Sequence, residues 1–447
     1  MKYWSRTLVL LLIVSSIAVA QTPDTLWTRT FGGSNTDIAW SVQETSDQGF
    51  IIAGVSYSPG LSDVCLIRTN SLGDTLWTRY FGGIYGDEGY DVKETYDGGF
   101  VTAGVYQWGS GDYRVYLIKV NANGDSLWTK TYGYGVTAGA NALDITPDQG
   151  FIIAASSFIN PNVDIWILKT DSLGDTLWTR RYDFTTWDEA RDIKVLSDGN
   201  FIITGIVGVG GLWDAFLMKM TSNGDTLWTQ FYGGPENELI NSVVPTYDDG
   251  YILTGYTRSY GAGSEDIWLI KTDSLGDTLW TKTFGGSFLD SGFDVIQSTD
   301  SNYCIAANRE LYSDSVALYI FKVNTEGDTL WTYHSWGMGQ ACATSIQQCH
   351  DQGYIIAGIT KPIGSAPDDV YVVRLGTEQR ITEKQSESIV TWPLRSTVYV
   401  GPLRAPDNLS YKIFNITGRQ IHTLNPAPGI YFLQIDGKIK QKIIKIK

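Results

Sequence analysis

The sequence predicts an all-β fold: a seven-bladed β-propeller of four-stranded blades closed by its own N-terminal strand, with a small β-sandwich-like C-terminal domain. Three observations predict it. Leu-Trp-Thr recurs seven times, with tryptophans at Trp27, Trp77, Trp128, Trp178, Trp228, Trp280 and Trp331. The intervals are 50, 51, 50, 50, 52 and 51 residues, a period that suits propeller blades better than helical solenoids. Finally, the strand-like runs between tryptophans are β-branched and aromatic and end at Gly, Asp or Asn, and none shows a 3.6-residue apolar period.

The first unit contains four strand candidates. Strand A is read over 37–45 (DIAWSVQET), ended by the turn Ser46-Asp47-Gln48-Gly49. Strand B follows over 50–56 (FIIAGVS) and strand C over 63–69 (DVCLIRT). Strand D spans 75–81 (TLWTRYF), after a Gly73-Asp74 turn and before Gly82-Gly83. The first D-type run, 24–31, precedes every A–B–C set, and the last A–B–C set, ending near Leu375, has no D run after it. The offset is explained if the first run completes the seventh blade and closes the ring, leaving no open seam. An open solenoid is the alternative.

Residues 1–20 read as a secretory signal peptide. Lys2 and Arg6 precede an apolar run from Leu8 to Ala20 that ends in Ala18-Val19-Ala20, and the run is shorter than the roughly 20 residues needed to span a bilayer. The propeller is assigned to 21–377, a polar linker to 378–390 and a C-terminal domain to 391–447. Net charge is −15, unevenly spread. Residues 381–447 hold ten Lys/Arg against four Asp/Glu, while 21–380 hold 44 Asp/Glu against 21 Lys/Arg. Such a surface repels phosphate backbones, so nucleic acid is not expected as a partner. Cys65, Cys304, Cys342 and Cys349 are too few for a disulfide framework; they read as small apolar fillers, with a Cys342–Cys349 pair as the alternative.

Units such as FGGSNTDIAWSVQETSDQGFIIAG and FGGSFLDSGFDVIQSTDSNYCIAA resemble the bacterial SBBP-type β-propeller repeat, over about residues 24–376. That resemblance implies a propeller, often at the cell surface, and says little about ligand. The tail, through Tyr411-Lys412-Ile413-Phe414, Gly418-Arg419, Gly429-Ile430-Tyr431-Phe432 and a lysine-rich last strand, is similar to the type A sorting domain of the type IX secretion system. It implies export across the outer membrane, to a secreted or surface location, with the secretion machinery as partner. The alternative is a plain β-sandwich appendage with a basic edge.

With strand A innermost, the D–A and B–C loops share one face, and the short A–B and C–D turns share the other. The turns recur almost unchanged, as structural hairpins do, whereas the B–C segments (SYSPGLS, VYQWGSG, SSFINPNV, IVGVGGLW, YTRSYGAGSE, NRELYSDS, ITKPIGSAP) differ throughout. Variable loops on a rigid scaffold are a usual seat of recognition. Within strand A the position of Trp40 varies (Tyr90, Asn141, Arg191, Asn241, Phe293, Thr344), while the residue two further on is always aliphatic. Trp40, Tyr90, Arg191 and Phe293, with Trp108, Trp213 and Tyr260 from the loops, are therefore the candidate ligand-binding set, an aromatic mouth suited to sugar rings or peptide. Inter-blade packing is the competing explanation for them, and it is the preferred one for the seven repeat tryptophans.

Enzyme readings each lack a part. The Gly-x-x-x-Trp hairpins faintly resemble quinoprotein blades, without the Cys-Cys pair or an EF-hand-like carboxylate run. A glycan-acting hydrolase needs an arginine cluster, a tyrosine and acids on one face, and no pattern assembles them. With only His334, His350 and His422, a histidine–metal or Ser-His-Asp site is disfavoured. Asp37, Asp87, Asp188, Asp290 and Glu238 recur at one position in five units, which favours a structural role. The sequence thus favours a binding scaffold for carbohydrate or protein, with no catalytic residue, metal ligand or cofactor assigned, and leaves a quinoprotein-like oxidoreductase or a glycan hydrolase or lyase as the alternative.

Overall fold

The computed structural model describes residues 21–57, 61–133, 137–159, 161–312, 315–335, 340–361 and 367–378, and in the tail 396–400, 411–415, 420–421, 429–435 and 438–446. Residues 1–20, assigned to the signal peptide, and most of the linker lie outside them.

Seven four-stranded antiparallel sheets are the blades. In the first, Asp37–Glu44 (A), Phe50–Ser56 (B), Asp63–Thr69 (C) and Thr75–Phe81 (D) pair in that order. Each A strand packs beside the A strand of the next blade, and the seventh packs beside the first, so the A strands form a closed inner ring. B and C strands are buried along nearly their whole length. A blade has a neighbour on each face, and both sides of the pleat therefore read as apolar.

The closing strand is where the repeat offset places it. Thr25–Phe31 pairs antiparallel with Asp369–Leu375, from Thr25 opposite Leu375 to Phe31 opposite Val370. Beyond it, the Gly376 N–H donates to the Asp24 carbonyl at 2.8 Å, and the Thr22 hydroxyl to the Thr332 carbonyl at 3.0 Å.

The seven repeat tryptophans hold the seams. Each packs on the first aromatic of strand B in the following blade: Trp27 on Phe50, Trp77 on Phe100, Trp128 on Phe151, Trp178 on Phe201, Trp228 on Tyr251, Trp280 on Tyr303 and Trp331 on Tyr354, with centroids 5.7–6.4 Å apart. Such pairs contribute about 0.5–1.5 kcal/mol each beyond area burial. The C–D turn of the next blade covers the indole. Gly174 sits there at φ 75°, and a Cβ on it would lie 2.9 Å from the Trp128 ring, so both conformation and space call for glycine. Arginines outside the indoles complete the clamp: Arg29 lies over Trp27 at 5.6 Å and donates to the Leu72 carbonyl at 2.9 Å.

The A–B turn aspartates do more than form turns. Every one pairs with a basic residue near the end of strand C: Asp47 with Arg68, Asp97 with Lys119, Asp148 with Lys169, Asp198 with Lys219, Asp248 with Lys271, Asp300 with Lys322 and Asp351 with Arg374. Burial alone would raise the Asp97 carboxyl. Hydrogen bonds from Thr95, Lys119 and the Gly99 N–H, with the Lys119 charge, outweigh burial and bring it down to about 2; Asp300 is likewise lowered to about 2. A carboxyl depressed in the folded state contributes stability above its unfolded value near 3.9, and that contribution is lost as pH falls toward 2. Because Asp97 is 59% exposed, solvent screens each pair and only the sevenfold sum is large. The unfolding free energy is expected to drop steeply below about pH 4. Denaturant titrations at stepped pH check this, and Asp97→Asn should reduce the drop by about one pair's share of seven.

Strand lengths correct one expectation. In the second, third, fourth and sixth blades the segments read as B–C loops are mostly strand: Phe100–Gly109 with Asp112–Val120, Phe151–Ile159 with Asn162–Thr170, Phe201–Val209 with Leu212–Met220, and Tyr303–Tyr312 with Ser315–Val323. In the fourth blade a two-residue turn explains it; Gly210 and Gly211 both have positive φ, 62° and 92°, the geometry that matches strand twist in a tight hairpin. All four cysteines are free thiols, three of them buried.

The chain divides into compact units at 1–381 and 382–447. In the second unit Ser396–Val400, Tyr411–Asn415, Gln420–Ile421, Gly429–Ile435 and Lys438–Ile446 form one five-stranded sheet. Its first and last strands run parallel, a pairing that alternation alone does not predict. Among the described residues no helix is long and apolar enough to cross a membrane.

Candidate functional site

Each A strand carries an irregularity at the same place. The register with strand B shifts between Ala39 and Ser41, Gly89 and Asp91, Ala140 and Ala142, Ala190 and Asp192, Ile240 and Ser242, Gly292 and Asp294, and Ala343 and Ser345. The skipped residue is the variable one. Trp40, Tyr90, Asn141, Arg191, Asn241, Phe293 and Thr344 are thus the extra residues of seven bulges, a device that re-aims a side chain. All seven line a cavity of about 520 Å³ enclosed by the inner ring.

Three of them are spent on the wall. Asn141 donates to the Ala190 carbonyl at 2.7 Å, Asn241 to that of Gly292 at 2.8 Å, and Thr344 to that of Ala39 at 2.9 Å. In each case the acceptor precedes the bulge of the next blade. The other four, Trp40, Tyr90, Arg191 and Phe293, are the strand-A members of the candidate set, and the structure brings them together at this cavity. The Trp40 and Tyr90 rings are 5.7 Å apart. Tyr90 donates its hydroxyl to Glu88 at 2.5 Å, and Arg191 pairs with Glu189 at 2.8 Å. Burial and the Glu88 charge push the Tyr90 hydroxyl well above its ordinary range. Among the described residues Trp40 Nε1 and Arg191 Nε have no acceptor.

Trp108, Trp213 and Tyr260 do not join them. Trp108 and Trp213 sit on the extended hairpin arms, and none of the three lines the cavity. Trp108 packs under the Arg114 guanidinium at 4.9 Å, and Tyr260 lies against Trp268 with its hydroxyl on the Gly233 carbonyl. The hairpin extension fixes Trp108 and Trp213 on its arms, and Tyr260 lies in the loop between Tyr251–Thr257 and Asp266–Thr272.

A polar network occupies the cavity wall beside the bulges. Strand A is the free inner edge of its blade, and edge N–H groups need acceptors. Carboxylates of the preceding blade supply them: Asp91 accepts from Leu143 N–H at 3.1 Å, Asp144 from Val195 at 2.8 Å, Asp192 from Val243 at 3.0 Å and Asp294 from Ile346 at 2.9 Å. Two lysines balance the four acids. Lys93 donates to both Asp91 oxygens at 2.6 and 2.8 Å, and Lys194 to Asp192 at 2.6 Å. Burial would lower the Lys194 ammonium, but the charges of Asp192, Asp91 and Asp294 hold it above its ordinary range. Asp294 is pushed up by burial in spite of Lys194. The sequence shows this network only as Asp-x-Lys in two A strands, at 91–93 and 192–194.

The recurring acids at the start of strand A are loop caps. Asp37, Asp87, Glu238 and Asp290 accept the Gly33, Gly83, Gly234 and Gly286 N–H at 2.6–2.8 Å, and Asp188 accepts from Phe184 and Thr185. Each faces an acid of the preceding blade, as Asp87 faces Asp63 across Gly82. Burial, with the Asp63 charge adding to it, pushes Asp87 up. Among the described residues no group of three or more His, Cys, Asp or Glu side chains is arranged to hold a metal ion.

No family model and no curated protein matches the sequence. Solved structures of distant likeness include a protein of unknown function from Dyadobacter fermentans, 9% identical over 80% of this chain and 99% of that one, with a TM-score of 0.47. PorZ, described as an essential bacterial surface component of the type-IX secretion system of Porphyromonas gingivalis, is 11% identical over 93% of this chain and 60% of its own, with a TM-score of 0.47. A fungal alcohol oxidase of the AA5 family, in complex with copper, is 9% identical over 95% and 98%, with a TM-score of 0.49.

Proposed function

We propose that the chain is a secreted or cell-surface binding scaffold whose ligand, carbohydrate or protein, engages the cavity ringed by Trp40, Tyr90, Arg191 and Phe293. One observation carries the reading: of seven equivalent bulge residues, three are tied to the wall, and the four others present three aromatic rings and a guanidinium. Aromatic faces with a few placed polar groups are the usual furniture of a ligand site. The propeller over 21–377 is the binding unit. Residues 1–20 direct export, and the basic unit over 391–447, past the 378–390 linker, engages the secretion machinery; the signal-like N-terminus and the resemblance of the tail support that part.

The test is a binding screen of the mature chain against glycan and peptide panels, read by tryptophan fluorescence and calorimetry. The best ligand is expected to bind at least about tenfold more weakly to Trp40→Ala/Tyr90→Ala, a loss of about 1.4 kcal/mol. No binder in either panel, or a binder indifferent to both substitutions, overturns the assignment. Export is tested separately, by following the full chain and one ending at residue 380 in a bacterium with that secretion system; equal surface appearance of both would sink the sorting role.

A further inference from the structure

The seams between blades are not all alike. Five of them set an acid at the start of strand A against an acid at the start of the preceding strand C, as with Asp37 and Asp369, Asp87 and Asp63, or Asp290 and Asp266. The seam between the second and third blades departs from this pattern. Register places Ala138 opposite Ser157, where Asp37 stands opposite Ser56 in the first blade. It also places Arg114 one residue before the Val115–Tyr132 pair, where Asp63 precedes the Val64–Phe81 pair. Arg114 turns away, to Asp112 at 3.0 Å and to the Trp108 face.

Beside Ala138 lies a cavity of about 330 Å³, at the lower end of ordinary ligand pockets. Its lining includes Glu88, Tyr90, Gln107, Tyr113, Ser156 and Phe158. Tyr113 and Phe158 are 38% and 43% exposed, so the rim is aromatic. Among the described residues the Ser156 hydroxyl has no partner. No lysine or arginine is among the lining residues, and Glu88 is the single carboxylate there. Tyr90 belongs to this cavity and to the central one, and its ring packs on Trp40.

From this set we infer that the cavity between the second and third blades takes a neutral pyranose ring, the terminal unit of an oligosaccharide whose next ring reaches the Trp40–Tyr90 pair. The assignment rests on the proposed binding role of the central mouth and names its ligand class. A pyranose offers what the lining asks for: hydroxyls that both donate and accept for Ser156, Gln107 and Glu88, and a C–H face for Tyr113 or Phe158. A sugar carboxylate meets Glu88 with no cation to offset it, which disfavours uronic and sialic acids.

The experiment is a calorimetric titration of the mature full chain with short neutral oligosaccharides of the gluco-, manno-, galacto- and N-acetylglucosamine series, beside uronic-acid oligomers. A neutral series is expected to bind at least about tenfold tighter than its acidic counterpart. Ala138→Asp restores the residue type found in most other blades and sets a second carboxylate in the cavity lining; it should weaken binding by about tenfold or more, and Phe158→Ala, an exposed rim change that leaves the core intact, by about fivefold. Binding lost in Trp40→Ala but unchanged in Ala138→Asp and Phe158→Ala overturns this inference and leaves the central mouth standing. Preference for the acidic oligomers, or no neutral sugar bound, overturns the ligand class, while a peptide bound in a Trp40-dependent way would still uphold the mouth.

Discussion

A chain that begins at Gly33, and so lacks the closing strand, is expected to melt on the order of 10 °C lower than the mature chain and to self-associate. The strand contributes a ladder from Thr25 to Phe31 against Asp369–Leu375, the Trp27–Phe50 contact and the Arg29 clamp onto the first blade. At about 1 kcal/mol per net hydrogen bond and about 1 for the aromatic pair, its loss costs roughly 6–8 kcal/mol. A ring of some 350 residues has an unfolding entropy near 0.7 kcal/mol/K, which converts that loss to about 10 °C. Deletion also bares the edge of Asp369–Leu375, a strand buried on both faces, and such an edge templates pairing with another copy. Calorimetry and sedimentation velocity read the two effects, and a synthetic peptide of residues 21–33 should reverse both. An unchanged melt with a monomeric truncated chain would mean that the ring is held by the other seams alone.

This architecture was legible because every repeat must solve the same packing problem. A tryptophan at each seam, a Gly at each C–D turn and continuous apolar B strands leave a period that needs no alignment to detect, and the position of the first D strand discloses the closure. The aliphatic residues two past the bulge, such as Val42 and Ile193, are buried as their recurrence implies. What the repeat conceals is whatever departs from it. The hairpin extensions were read as loops because Tyr106, Gln107 and Trp108 have no strand alternation of their own and owe their pairing to the partner arm. Trp108 and Trp213 therefore read as loop residues of the mouth, whereas the ladder fixes them on the arms. The pairs between A–B turn aspartates and strand-C lysines or arginines recur seven times yet link positions some 21–23 residues apart, a spacing that turn chemistry does not suggest. The inner acid network recurs in only some blades, so it carries no periodic signal at all.

Lys194→Met is expected to cost about 3 kcal/mol of folding stability at neutral pH, at the low end of the roughly 3–5 found when one partner of a buried ion pair is removed. The low end applies because a quarter of the Lys194 side chain is exposed to the cavity, while Asp192 is 8% exposed. The substitution keeps the length and apolar stem of the side chain, so the loss is that of the charge. Asp192 then lacks its direct partner, and Asp91 and Asp294 lose a compensating charge. Those carboxylates still hold the edge N–H groups of Val243, Leu143 and Ile346, and protonation becomes their escape from mutual repulsion. Asp294, already pushed up by burial, loses the Lys194 charge that held it down, so the variant binds more protons when folded than when unfolded, and its deficit should shrink as pH falls from 8 toward 5. In the unaltered chain the sign is opposite: Lys194, held above its ordinary range, contributes fully below about pH 10.4 and loses that contribution as pH rises further. Denaturant unfolding of both chains at pH 8, 6.5 and 5 distinguishes the electrostatic cause from simple loss of packing, since a packing defect would leave the difference between them independent of pH.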